Sequence, residues 1–331
     1  MMREYLLFHM TALAAGTVLD ILIGDPRWLP HPIRAIGSLI SFLEGLFLRK
    51  DKDGAEGSGK ERDIALGALL WIVVVAATVS VTFAVMFASY KLNKFAGFAV
   101  ETVLTFFILA AGSLRNESMR VFKALPDIEA ARASVSMIVG RDTDRLDEAG
   151  IIRATVETVA ENTSDGVIAP LLYTFAGGPV LGLCYKAVNT MDSMLGYHDS
   201  DYEYFGKAAA RADDVANFIP ARISAVCMIF AAGVLPGYSF GGALKVWLRD
   251  RYSHKSPNSA QTESVCAGAL GVRLAGDASY KGVVAKKPYI GNDIRPVEPE
   301  DIRRAIRLMF CTEALCTAVI FTITGLCLII R

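Results

Sequence analysis

The sequence predicts an all-α fold, a polytopic integral membrane helical bundle with cytoplasmic helical loops. Three observations carry that prediction. Of the 331 residues, 53% are hydrophobic and 21% charged, and the mean hydropathy is +0.39. A soluble globular chain is about 45–50% apolar, so the excess needs an apolar solvent. Uninterrupted apolar runs long enough to span a bilayer occur at 5–23, 64–90, 95–114 and 308–330. Two further runs, 166–185 and 219–240, are long enough but are interrupted by Gly and Pro. They are expected to be embedded and re-entrant, because broken backbone at membrane depth is tolerated where protein buries it. The chain is thus expected to form one membrane domain over 1–331, with polar regions at 24–47, 115–165, 186–218 and 245–307.

Composition excludes several function classes. The formal net charge is zero, so no bulk basic field argues for nucleic acid. Six cysteines are present without a CxxC pair, which argues against a zinc site or a disulfide framework. The N-terminus lacks the basic region and small-residue cleavage site of a signal peptide, so 5–23 is expected to stay as an anchor.

Taken in order, the first span carries His9 and Asp20, and ionisable groups inside a span suggest function. The stretch GDPRWLPHPIRAIG follows at 24–37. Its three prolines stiffen the backbone, so Arg27, His31 and Arg34 project from a fixed frame suited to a phosphate or carboxylate. A charged linker, RKDKDGAEGSGKERD, precedes the clean span at 64–90, and Glu101 lies within the returning span. The region 115–165 reads as polar helices. Within it Glu157 and Glu161 lie one helical turn apart on a shared face, followed by the oxygen-rich NTSDG at 162–166.

The most informative stretch is KAVNTMDSMLGYHDSDYEYFGKAAARADDVANFIPAR, 186–222. It concentrates Asp192, Asp199, Asp201, Asp213, Asp214 and His198 between two apolar segments. In DDVAN, Asp213 and Asn217 share a helical face, and oxygen ligands at that spacing suit Mg²⁺ beside phosphates. A solvated acidic loop is the competing reading; the density of metal- and anion-binding side chains favours a site. Further on, SHKSPNSAQTE places hydroxyls, amides, His254 and Lys255 before a small-residue helix that starts in 259–263. Donors at a helix N-terminus form an anion cradle, although the stretch matches neither Walker A nor GxGxxG. Lys and Arg in the loops place the N-terminus outside and the polar regions inside. All the motifs then share the cytoplasmic face if the two broken segments do not cross.

Four blocks are similar to the CobD/CbiB family: LDILIGDPRWLPHPIRAIG, ETVAENTSDGVIAPLLY, the 186–222 stretch from its Tyr185, and SPNSAQTESVCAGALGVRLAGDASYKG. They occur in the family's order, and the likeness extends over nearly the whole chain. The resemblance implies an enzyme of the cell membrane that joins adenosylcobyric acid to an amino alcohol phosphate such as aminopropanol O-phosphate. ATP with Mg²⁺ would drive the amide bond, giving adenosylcobinamide phosphate. The lipid bilayer is the expected surrounding, and other cobalamin-pathway enzymes or a second copy of the chain are open as protein partners. On this resemblance the metal candidates are Glu157, Glu161, Asp213 and Asp214. Candidates for substrate and phosphate binding are Arg27, Arg34, Asn189, Arg211, Arg222, Ser256, Asn258 and Glu263. Asp165, Asp192, His31 and Lys186 are the catalytic candidates, with the amine's base left open among the first three. The rival is a transporter or sensor of related architecture, since broken helices and intramembrane acids serve transport as well.

Overall fold

The computed structural model describes residues 2–26, 28–48, 58–196 and 202–330. It is all-helical apart from two small antiparallel ladders, and it divides into two compact units. The first comprises Met1–Leu109 with Pro170–Ala216, and the second Ala110–Ala169 with Asn217–Arg331. Six helical stretches are long and apolar enough to cross a membrane, so the chain is a multi-pass membrane protein. They are Arg3–Ile23, Lys60–Leu92, Lys94–Ala124, Glu148–Leu195, Lys207–Val234 and Glu300–Leu328.

In the first unit, α1 (Met2–Ile23), α3 (Ser58–Leu92) and α4 (Lys94–Ile108) pack as neighbours. The short α2 (Pro32–Phe47) starts with Pro at its first position and His31 as N-cap, whose Nδ1 accepts from Ile33 N at 3.2 Å. A proline there costs nothing, because that N–H has no helical partner. Its apolar stripe of Ile36, Ile40 and Leu43 buries against Leu70, Val74, Met191, Leu195 and Phe205. Between α3 and α4, Asn93 caps the returning helix by accepting from Ala96 N.

The run expected to be broken, α8 (Ala169–Leu195), leaves helical geometry at Gly177 (φ −151°) and Gly178 (φ 62°, ψ −164°), with Pro179 next. Here the chain folds back on itself. The rings of Tyr173 and Tyr185 stack with centroids 5.0 Å apart, whereas twelve residues of straight helix would separate them by about 18 Å. A Cβ on Gly182 would likewise collide with Thr174 Oγ1. The turn frees carbonyls at the end of the first arm, a heavy cost in hydrocarbon unless something donates to them. His9 supplies one donor: its Nε2 bonds the Phe175 carbonyl at 3.0 Å, while Nδ1 lies 2.5 Å from Glu101 Oε1. The Tyr90 hydroxyl donates to the other oxygen of Glu101. The intramembrane His9 and Glu101 therefore hold a backbone break together.

The second unit contains α5 (Ala111–Ala124), α6 (Ile128–Ser136), α7 (Glu148–Asn162), a π-helical turn (Thr163–Ile168), α10 (Phe240–Asp250), α11 (Ser259–Leu270) and α12 (Glu300–Ile330). Helix α9 (Lys207–Val234) contributes its Asn217 end. Helices α10 and α11 approach to glycine contact. A Cβ on Gly242 would sit 2.4 Å from the Gly268 carbonyl, and one on Gly268 2.3 Å from that of Gly242. After α11 come β1 (Arg273–Ala275), β2 (Ala278–Tyr280), β3 (Val283–Ala285) and β4 (Tyr289–Gly291). They pair as β1–β4 and β2–β3. Asp142 secures the β2–β3 turn by accepting from Ser279 Oγ at 2.6 Å and from the N–H groups of Lys281 and Gly282.

Gly178 occupies a region of φ and ψ that is essentially glycine's own, with a cost for other residues of about 1–3 kcal/mol. Gly178→Val is therefore expected to lower the unfolding midpoint in detergent. Gly45→Ala, in open space on α2, is expected to leave it unchanged or raise it slightly.

Candidate functional site

The polar groups gather in the second unit where α7, α11 and the loop before α11 meet. Helix α7 begins on a sound cap, Asp147 accepting from Gly150 N at 2.7 Å, and it buries Ile151, Ile152, Val156 and Val159. That orientation leaves Glu157 and Glu161 half-buried on the same face. Both oxygens of Glu157 have partners: Arg141 pairs with one and the Ala275 N–H donates to the other at 2.7 Å. Glu161 accepts from the Ser259 hydroxyl at 2.8 Å, which ties the first residue of α11 to the last turn of α7.

Helix α11 is buried along its whole length. It starts after Asn258, whose Oδ1 lies 3.3 Å from Arg222 Nη1. The Arg222 guanidinium also covers the Phe218 ring at 3.6 Å and donates to the Phe218 carbonyl. The loop is ordered by local bonds, Ser256 N donating to His254 Nδ1 at 3.1 Å and Asn258 N to Ser256 Oγ at 3.3 Å. Gln261 links the two ends of the loop through the Arg251 and Pro257 carbonyls. One turn beyond Ser259, Glu263 is 6% exposed. Burial pushes its carboxyl well above the usual carboxylate range, and Glu161 and Glu157 push it further. His254 is held below the usual histidine range by burial; Lys287 and Lys255 act in the same direction, Glu161 and Glu157 against it. A buried site with three carboxyls, a neutral imidazole and lysines within electrostatic reach can hold cations and phosphates together.

The remaining candidates fall in several places. Asp165 lies in the π-helical turn, a distortion that often marks a functional segment. In the first unit, Asn189 donates to Asp213 Oδ1 at 3.2 Å, and Lys186, Asp192, Arg211 and Asp214 lie on α8 and α9 nearby in sequence. His31 caps α2 and also faces Asp25 at 3.4 Å and the Phe107 ring at 4.9 Å. Arg34 donates to the Leu29 carbonyl and lines an open cavity of 710 Å³ with Ile33, Gly37, Ser38, Ser41 and Met194. Arg27, His198, Asp199 and Asp201 lie outside the described residues. Glu157 and Glu161 thus belong to the second unit, and Asp213 and Asp214 to the first. Among the described residues no group of three or more His, Cys, Asp or Glu side chains is arranged to hold a metal ion.

Sequence reasoning missed Arg141 and Lys287. Arg141 lies in a turn 16 residues before its partner Glu157, and Lys287 lies beyond the β2–β3 turn. Neither shares a periodic pattern with the carboxylates.

Comparison with known proteins adds a second line of evidence. The family model described as CobD/Cbib protein matches residues 13–309. The chain is 47% identical over 304 residues to "Cobalamin biosynthesis protein CobD" of Pelobacter propionicus, covering 91% of each chain. It is 44% identical over 318 residues to "Cobalamin biosynthesis protein CbiB" of Salmonella typhimurium, covering 94% of this chain and 97% of the relative. A CobD protein of Listeria monocytogenes is 44% identical over 300 residues, covering 90% and 93%. No solved structure matches.

The depressed His254 fixes the sign of a pH effect. The unfolded chain binds a proton near the ordinary histidine pKa of about 6.5, and the folded protein resists it. The stability that neutral His254 provides is full above about pH 6.5 and is lost as the pH falls below it. Unfolding midpoints taken from pH 7.5 to 5.5 are expected to decline in the natural protein. His254→Gln is expected to flatten that decline, and an unchanged slope would refute the assignment.

Proposed function

We propose that this chain, which belongs to the CobD/CbiB protein family, acts in cobalamin biosynthesis as an ATP-dependent amide ligase of the cell membrane. Its substrates on this reading are adenosylcobyric acid and an amino alcohol phosphate, aminopropanol O-phosphate, and its product is adenosylcobinamide phosphate. The observation that carries the reading is the gathering in one unit of Glu157, Glu161, Glu263, His254, Lys255 and Lys287 around the start of α11. On this reading the active site faces the cytoplasm, where ATP is found.

The chemistry explains why such a cluster is needed. A carboxylate does not yield to an amine, because oxide would have to leave. Transfer of the γ-phosphoryl group of ATP onto the propionate oxygen forms an acyl phosphate and releases ADP. The amine nitrogen then attacks the acyl carbon, the C–O bond to phosphate breaks, inorganic phosphate departs with that oxygen, and the nitrogen loses a proton to a base. Positioning and charge stabilisation do most of the work in such phosphoryl transfers.

The residues fit Mg²⁺ by the chemistry of their donors: carboxyls and hydroxyls, all oxygen, with a deeply buried carboxyl among them. Mg²⁺ usually takes one or two carboxylates and keeps several waters, so a closed cage of protein ligands is not required. Glu161 is the metal candidate in this unit, with Glu157 beside it, while Asp213 and Asp214 are the candidates in the first unit. When bound, the ion neutralises charge on the ATP phosphates. Lys255 and Lys287 offer positive charge to phosphates; Ser256, Asn258 and Arg222 form the ordered rim of the loop. Arg27, Arg34, Asn189, Lys186 and Arg211 remain candidates for substrate contacts. Asp165, Asp192, His31 and neutral His254 are candidates for the proton acceptor, since a base must reach the attacking nitrogen.

Transport or sensing is the second reading, favoured by the intramembrane His9–Glu101 pair. That pair is occupied in holding the break at Gly177–Gly178, so the ligase reading accounts for more of the polar residues.

The test supplies the purified protein in detergent with Mg²⁺, ATP, adenosylcobyric acid and aminopropanol phosphate. ADP release matched by an amide-linked corrinoid, detected by mass and dependent on both substrates, is expected. Glu161→Gln is expected to lower turnover by on the order of 10²-fold or more without changing the unfolding midpoint by more than a few degrees. Corrinoid binding with no amide product would favour the transport or sensing role.

A further inference from the structure

Of the three glutamates in this cluster, Glu157 is already paired with a cation. Arg141 takes one oxygen and the Ala275 N–H the other, so a cation at Glu157 would compete with a mostly buried ion pair. Glu161 uses one oxygen for the Ser259 hydroxyl. Glu263 differs from both. It is more than nine-tenths buried, and among the described residues its carboxyl accepts no hydrogen bond and joins no ion pair. A buried polar group in that state needs an explanation.

Placement supplies one. Ser259 and Glu263 are four residues apart on α11, so they share a face, and Ser259 is the residue that touches Glu161. Glu263 therefore faces the same side of α7 one turn further along, where the charges of Glu161 and Glu157 act on it. Its neighbour Thr262 is fully buried with its hydroxyl unpartnered, and so is the hydroxyl of Ser164, three residues beyond Glu161 in the π-helical turn. Carboxylates brought together away from water repel one another until one of them takes up a proton or a cation joins them.

We propose that Glu161 and Glu263 form an open divalent-cation site between α7 and α11, with Glu157 outside the coordination set and water or substrate phosphate completing the ion's shell. This rests on the ligase reading only for the identity of the phosphate. It moves Glu263 from the anion-binding residues to the cation ligands.

The test uses Mn²⁺ alone, titrated into the full chain in lipid nanodiscs without ATP or corrinoid, with free Mn²⁺ followed by electron paramagnetic resonance. One Mn²⁺ per chain is expected. Glu263→Gln and Glu161→Gln are each expected to weaken it by about tenfold or more, a loss of about 1.4 kcal/mol, while Glu157→Gln stays within about threefold. Natural protein that binds no Mn²⁺ at millimolar concentration, or Glu263→Gln that binds as tightly as the natural protein, would overturn the proposal. Should a variant fail to fold, Fe²⁺ and ascorbate applied to the natural protein give an independent reading. Backbone cleavage near 161–164 and 260–264 supports the site, and cleavage confined to the segment around Asp213 overturns it. Mn²⁺ binding lost in Glu263→Gln, in a protein that makes no amide product, would sink the ligase reading and leave the cation site standing.

Discussion

The hydrogen bond from Ser259 to Glu161 is the contact on which the polar site depends. It pins the start of α11 to the end of α7, and both helices are otherwise packed through apolar and small residues. Once that point is fixed, helical geometry dictates that Glu263 lies one turn along the same face, among carboxyls. The Ala275 N–H then fastens the chain that follows α11 to Glu157 of α7 at a second level, and Arg141 ties the turn before α7 to the same carboxylate. Asp142 and Asp250 hold the β-ladders in the same manner: Asp250 accepts from Gly291 N at 2.8 Å while Arg249 neutralises it. Carboxylates thus act as fasteners in this unit.

In the first unit the governing constraint is the absence of water around a broken helix. Gly177, Gly178 and Pro179 turn the chain back, and the carbonyl that this exposes is met by His9. Glu101 and Tyr90 hold the imidazole in turn, so three helices contribute to one backbone repair. Such an arrangement explains ionisable groups in a span without transport.

Much of this architecture was legible in the sequence. The apolar runs at 5–23, 64–90, 95–114 and 308–330 lie within α1, α3, the α4–α5 stretch and α12, because hydropathy over about 20 residues measures a single physical requirement. The glycine-proline break at 177–179 was visible as composition, but its cap lies 166 residues away in sequence, at His9, and no local pattern announces it. The β-ladders were missed because strands of three residues are too short for alternation to register. At the site, the i, i+4 spacing of Glu157 and Glu161 was readable, whereas their inequality was not. That inequality comes from Arg141 and from a backbone N–H at 275, and a backbone group has no signature in the sequence.

The central claim is that ATP activates a corrinoid carboxylate for attack by an amine. Oxygen tracing tests it most directly. Adenosylcobyric acid labelled with ¹⁸O in the reacting carboxylate would be turned over by the purified protein with ATP, Mg²⁺ and aminopropanol phosphate. Mass analysis of the released phosphate would follow. The acyl phosphate route predicts one ¹⁸O atom in inorganic phosphate for each amide formed, with ADP as the nucleotide product. Unlabelled phosphate, or label appearing in AMP, would contradict it.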